Sequence, residues 1–321
     1  MGVPAAFNTL VARRASRLLD ATWGSGDVYT WHLADVAYQH LGEGPPMVLL
    51  HAFGPGHGSS EWRRAAEELA PNFEIFAPDL PGWGQSDAVT GALGSGLYLQ
   101  WLRDFLAEVV AAPAVIVAAG LPAAYAVQVA VEQPERVAAL ALVVPLGLDH
   151  HAGGPETRDV LLQGFLRLPV LGTSALNIFT SRASIATYLR RDVFACPELV
   201  DDALLDLHYL NSHRPGAQRT LAAYLGGFLD HDAAPLLDRI SVPTWIAWGR
   251  RASSPPVEAA DRWVSRVAGA ELEVFEQAGL LPHMESPGEF GRKLEAFLFD
   301  REDSEQPAVD APPPQEEPGG G

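Results

Sequence analysis

His283 stands two residues before Glu285 and pairs an imidazole with a carboxylate, which makes it the candidate for a catalytic general base in this chain. Asp149, His150 and His151 put three metal-ligand types in a row. Side chains of consecutive residues point apart and rarely converge on one ion, so no metal is expected there. Cys196, in FACPEL, is the single cysteine. It excludes an intramolecular disulfide and a cysteine-based zinc cluster, fits a reducing, cytoplasmic compartment, and reads as a packed thiol in a loop. Tyr188, Tyr209, Tyr224 and Phe228 either line a pocket or pack one layer of helices on another. No cofactor is expected.

The elements that must position these groups follow from the spacing of apolar residues. Residues 27–41 alternate apolar and polar, as an antiparallel strand pair does. MVLLHAF (47–53), FEIFAPDL, PAVIVAAG (113–120), VAALALVVP (137–145) and VPTWIAWG (242–249) are short unbroken apolar runs, as strands buried on both faces of a parallel sheet must be. Helical stretches at 60–71, 97–111 and 123–133 separate the earlier ones, and 256–267 and 287–299 flank the strand ELEVFE. Strands alternating with helices imply right-handed crossovers in a sheet covered on both sides. Between about 148 and 235 the alternation stops, and 156–168, 174–190, 198–211 and 216–229 all read as helices.

The expected organisation is therefore an N-terminal helical extension (1–26), a core in two pieces (27–147 and 236–300), a helical lid (148–235) and an acidic tail rich in proline and glycine (301–321). The tail holds six carboxylates against one arginine and is expected to be disordered. The N-terminal segment sets Phe7, Leu10, Val11, Leu18 and Leu19 against Arg13, Arg14 and Arg17, and is expected to dock on its own domain. Lying on an anionic membrane would need more apolar area than this helix alone offers.

Taken in order, LLHAFGPG, FAPDLPGWGQSD, EQPERVAALALVVP, ISVPTWIAWG and AGLLPHMESPGEFGRKLEAFL resemble the α/β-hydrolase superfamily over residues 27–299. SRASIATYLRRDVF and YLNSHRPGAQ look like a bacterial branch with an all-helical lid. The resemblance implies an α/β fold, with a mostly parallel eight-stranded sheet, helices on both faces and the lid inserted after strand 6. That fold holds its nucleophilic serine on a sharp strand-to-helix turn, G-x-S-x-G. Counting back from PERV places the serine position at Gly120, with Ala118 and Pro122 at the flanking glycines. The acid position falls at Ala252 and the histidine position at Leu280, leaving only the second histidine of the closing motif, His283. A triad of serine, histidine and carboxylate has no member here.

The same resemblance makes His51 a brace of the oxyanion loop and aims the backbone N–H groups of Phe53 and Leu121 into the cavity. The expectation is a non-catalytic protein that binds a small apolar ligand or acts as a scaffold, with a protein partner possible through the N-terminal helix or the acidic tail. The alternative is a hydrolase of ester-like substrates working through His283. A net charge of −18 excludes a nucleic-acid partner, whose phosphates need a basic face. No stretch is apolar over the roughly 20 residues of a transmembrane segment.

Overall fold

The computed structural model describes residues 2–18, 23–148 and 155–305, with side chains to Phe299. Asp149, His150 and His151, and the tail from residue 306 onward, lie outside the described residues.

Eight strands form one sheet in the order β1-β2-β4-β3-β5-β6-β7-β8. They are β1 (Ser25–Trp31), β2 (Ala34–Leu41), β3 (Pro46–Leu50), β4 (Glu74–Pro78), β5 (Ala114–Ala119), β6 (Val137–Val143), β7 (Thr244–Gly249) and β8 (Glu271–Phe275). Only β2 runs against its neighbours, pairing antiparallel with β1 and β4. The unbroken apolar runs occupy the middle: every residue of β5 and β7 is buried, because helices cover both faces. β1 is the exposed edge, which accounts for its alternating, polar sequence.

Helices α2 (Arg63–Leu69), α3 (Ser95–Phe105) and α4 (Pro122–Glu132) fill the early crossovers, and α1 (Val3–Ala15) precedes the sheet. The interruption in the alternation is an insert between β6 and β7 that holds, among the described residues, five α-helices: α5 (Thr157–Leu166), α6 (Leu171–Phe179), α7 (Arg182–Tyr188), α8 (Asp202–Ser212) and α9 (Ala217–Leu225). α10 (Ala260–Val264), α11 (Pro282–Glu285) and α12 (Pro287–Glu305) complete the chain.

Some helix limits differ from those read off the sequence. The stretch 174–190 is broken, because the Ser181 hydroxyl accepts the Ser184 N–H and caps a new helix, α7. α10 is short, preceded by a 3₁₀ turn at Val257–Ala259. The last helix continues past 299 to Glu305.

Two glycines test how tightly this frame is closed. A Cβ on Gly249, at the end of β7, would lie 1.9 Å from the Gly279 carbonyl oxygen, whereas one on Gly164, inside α5, would meet nothing within 4 Å. Gly249→Ala is expected to lower stability by about 3 kcal/mol. Gly164→Ala should raise it by about 0.5–1 kcal/mol, through helix propensity alone. Urea unfolding midpoints check both signs.

Candidate functional site

The carboxyl ends of the strands and the insert enclose a cavity of about 500 Å³. Ligands of open α/β sheets bind at this end, and the volume suits a small molecule. Its walls come from the loop after β3 (Ala52, Phe53, His57), the turn after β5 (Gly120, Leu121) and the segment after β6 (Val144–Leu148). Tyr188, Asp192, Val193 and Tyr224 of the insert, Trp248, and Leu280 and Leu281 also line it. Most of these surfaces are apolar.

The turn after β5 keeps the shape of an elbow. Gly120 has φ +63°, its N–H donates to the Val143 carbonyl, and its own carbonyl accepts from Leu146. α4 starts at once, with Pro122 in its first turn, where a missing N–H costs nothing. A Cβ at position 120 would find the Ala52 side chain at 3.6 Å, an ordinary contact, so space for a side chain persists while none is present. Among the described residues neither the Phe53 nor the Leu121 N–H has a hydrogen-bond acceptor, and both residues line the cavity. Two such donors beside a helix N-terminus suit a carbonyl or carboxylate oxygen.

The positions singled out from the sequence divide into those at the cavity and those behind it. Gly120, Leu121, Phe53 and Leu280 line it together, with Tyr188 and Tyr224. Ala252 is buried outside the lining, its N–H on the Gly249 carbonyl, so the acid position does not reach the cavity. Tyr209 and Phe228 also stay outside; Phe228 borders a separate cleft with Arg167 and Arg219.

His283 does not sit at the cavity mouth. It is fully buried and stacked on Trp62 with ring centroids 3.7 Å apart. Burial lowers its pKa, so the ring is neutral, and Nε2 is 3.5 Å from Glu61 Oε1. Glu285 turns the other way, accepting the N–H groups of Gly279, Ala195 and Cys196 and so joining the insert to the core.

His51 spans two loops: Nδ1 donates to the Ala52 carbonyl at 2.8 Å and Nε2 accepts the Leu80 N–H at 2.9 Å. Both bonds need a neutral ring, which burial favours by lowering its pKa.

A histidine and a glutamate not singled out from the sequence complete the site. His57 Nδ1 donates to Glu61 Oε2 at 2.8 Å, and Glu61 Oε1 accepts the Ala52 N–H at 2.8 Å. Burial pushes the Glu61 carboxyl upward, but its interactions with the His283 and His57 side chains outweigh it and hold the group well below the usual carboxylate range. An ionised carboxylate only accepts, so a neutral His57 carries its proton on Nδ1 and presents Nε2 as an acceptor. The Tyr188 hydroxyl lies 3.5 Å from that nitrogen. The four-residue spacing of His57 and Glu61 in the sequence is not a helical one, because His57 and Gly58 lie in extended loop ahead of the 3₁₀ turn Ser59–Trp62, so the pairing rests on how that loop folds.

The buried imidazoles set an acid limit on stability. His208 Nδ1 donates to the Pro55 carbonyl and so links the insert to the same loop; burial brings its pKa down to about 4. The unfolded chain binds this proton from about pH 6.5 downward and the folded chain resists it, so stability is complete above that pH and falls as the pH drops toward 4. His208 alone accounts for about 3 kcal/mol of the fall, with His51 and His283 adding in the same direction. Urea unfolding at about pH 7.5 and pH 4.5 measures it, and His208→Gln, which keeps a donor for Pro55, should shrink the difference by about that amount.

A family model described as the alpha/beta hydrolase family matches residues 47–292. A 2-hydroxy-6-oxononadienedioate/2-hydroxy-6-oxononatrienedioate hydrolase of Paraburkholderia phymatum is 30% identical over 277 residues, 82% of this chain and 90% of that one. A pimeloyl-[acyl-carrier protein] methyl ester esterase of Aeromonas salmonicida is 28% identical over 266 residues, covering 82% of this chain and 99% of its own length. Among solved structures, a serine hydrolase involved in carbazole degradation superposes with a TM-score of 0.69 at 20% identity, over 86% of this chain and 100% of that one. The family match spans six of the eight strands, β3 to β8, leaving out only the leading hairpin, and the relatives agree with this chain along nearly their whole length, so the chain belongs to the alpha/beta hydrolase family.

Proposed function

We propose that this member of the family binds a small ligand without turning it over through an acyl-enzyme: a cytoplasmic pocket protein for elongated apolar molecules that end in a carbonyl or carboxylate oxygen. The observation that carries the reading is the pairing of a preserved elbow with a missing nucleophile. Gly120 holds the turn at φ +63° and the Phe53 and Leu121 N–H groups remain without acceptors, yet no side-chain oxygen stands at position 120. Leu280, on the cavity wall where an imidazole would be needed, makes the pocket drier. The helical insert supplies Tyr188 and Tyr224 and acts as a lid over that pocket. Burial pushes the Tyr224 hydroxyl up to about 12 and that of Tyr188 higher still, so both stay protonated and can donate to a ligand.

A second reading, hydrolysis by water activated at a histidine, draws its support from His57 and not from His283. Only His57 lines the cavity, with its tautomer fixed by Glu61 and Nε2 turned away from that carboxylate. Water would give its proton to Nε2 while the two N–H groups hold the developing oxyanion.

Three measurements decide between these readings. Calorimetric titration is expected to show binding of octanoate and of methyl octanoate. Leu280→Asp, at a half-buried position facing the cavity, should weaken octanoate about tenfold or more by charge repulsion and the ester less. A fluorophosphonate is expected to leave residues 118–122 unlabelled. Labelling there, or no affinity for either ligand, would overturn the binding reading, while label-free p-nitrophenyl acetate turnover lost in His57→Gln would install the second.

A further inference from the structure

We propose that the face formed by α1, α5 and α6 docks this protein on the surface of an anionic lipid bilayer. The proposal is independent of what the cavity holds. Large apolar side chains exposed among the described residues are concentrated there: apart from Val28 and Phe299, all fall within residues 3–10 or 160–179. Val3 is 85% exposed, Leu10 67%, Leu161 69% and Ile178 62%, values far above what a helix face turned to a core shows.

The three helices make one surface. Asn8 of α1 donates to the Val170 carbonyl and accepts from Ser174 and Asn177 of α6. The end of α5 and the start of α6 lie so close that a Cβ on Gly172 would stand 2.2 Å from the Leu166 carbonyl oxygen. Along α1, Val3, Phe7, Leu10 and Arg14 recur at helical spacing on one stripe, away from the Asn8 side that faces α6, and Arg17 follows in the turn after it. An apolar area too small on the N-terminal helix alone is thus extended by two helices of the insert.

Charge selects the occupant. The chain carries a net −18, yet residues 2–18 and 160–180 contain no Asp or Glu at all and hold Arg13, Arg14, Arg17 and Arg167. All four arginines are exposed, and none pairs with a carboxylate among the described residues; Arg14 lies over the Tyr209 ring. A cationic, apolar face on an otherwise acidic protein is complementary to anionic headgroups above an acyl layer, where apolar side chains enter and arginines remain at headgroup level. The rest of the protein is repelled by the same charge, which fixes the orientation of docking.

Sedimentation of the full chain with large vesicles tests this. Vesicles of phosphatidylcholine and phosphatidylglycerol in equal parts are expected to bind about tenfold or more tighter than phosphatidylcholine alone, and raising salt to about 0.5 M should remove most of that preference. Arg13→Gln/Arg17→Gln should cut the anionic preference, and Leu161→Ser/Ile178→Ser should lower binding to both vesicle types. These positions are exposed, and unchanged melting temperatures confirm folded variants. Absence of vesicle binding, or equal binding to both lipids, overturns the proposal. So does a dimer in equilibrium sedimentation that Leu161→Ser/Ile178→Ser dissociates while vesicles stay unbound, since the face would then belong to a second copy of the chain.

Discussion

The site is organised around a carboxylate buried away from bulk solvent. Glu61 is buried, and its oxygens are satisfied by the Ala52 N–H, by His57 Nδ1–H and, at longer range, by the edge of His283. A buried charge persists only when each lone pair is answered in this way. The consequence is geometric. Glu61 opens the segment leading into α2, Ala52 adjoins the Phe53 N–H, and His283 belongs to α11, so one acceptor ties three parts of the chain to the wall of the cavity. Asp79 works beside it, accepting the N–H groups of Ser59 and Gln85, while His51 bridges Ala52 and Leu80. The backbone donors facing the cavity are held in place by side chains that never enter it.

Much of the fold is legible in the sequence, because a strand buried on both faces leaves a short unbroken apolar run bounded by turn residues. MVLL, AVIVAA and TWIAWG are all of this kind. The insert is less legible. Its helices are mutually packed, and a break such as that at Ser181 depends on one hydroxyl capping one amide. Periodicity does not register a cap of that kind.

At the site the sequence leads to the turn at Gly120, since a turn motif has fixed spacing, and that turn does line the cavity. It misplaces His283, because closeness to Glu285 in the chain suggested a pair. In the short helix α11 the two side chains diverge, one toward Trp62 and the other to the amides of Ala195 and Cys196. His57 was passed over for the opposite reason. Its partner and its exposure to the cavity depend on how the loop after β3 folds over α2, which is a tertiary matter.

The relaxed turn at Gly120 has a bearing on how such a protein changes over evolutionary time. A residue with a Cβ held at φ +63° carries a standing conformational strain of about 1–3 kcal/mol, which an enzyme tolerates because the strained side chain reacts. Glycine holds the same backbone without that strain, and the difference becomes surplus stability. Surplus of this size lets a chain absorb one or two destabilising substitutions elsewhere without unfolding. Under the proposed reading, Ala252 and Leu280 are substitutions that such a surplus accommodates, and a serine at position 120 would have to be offset by new stabilising residues before it could be kept.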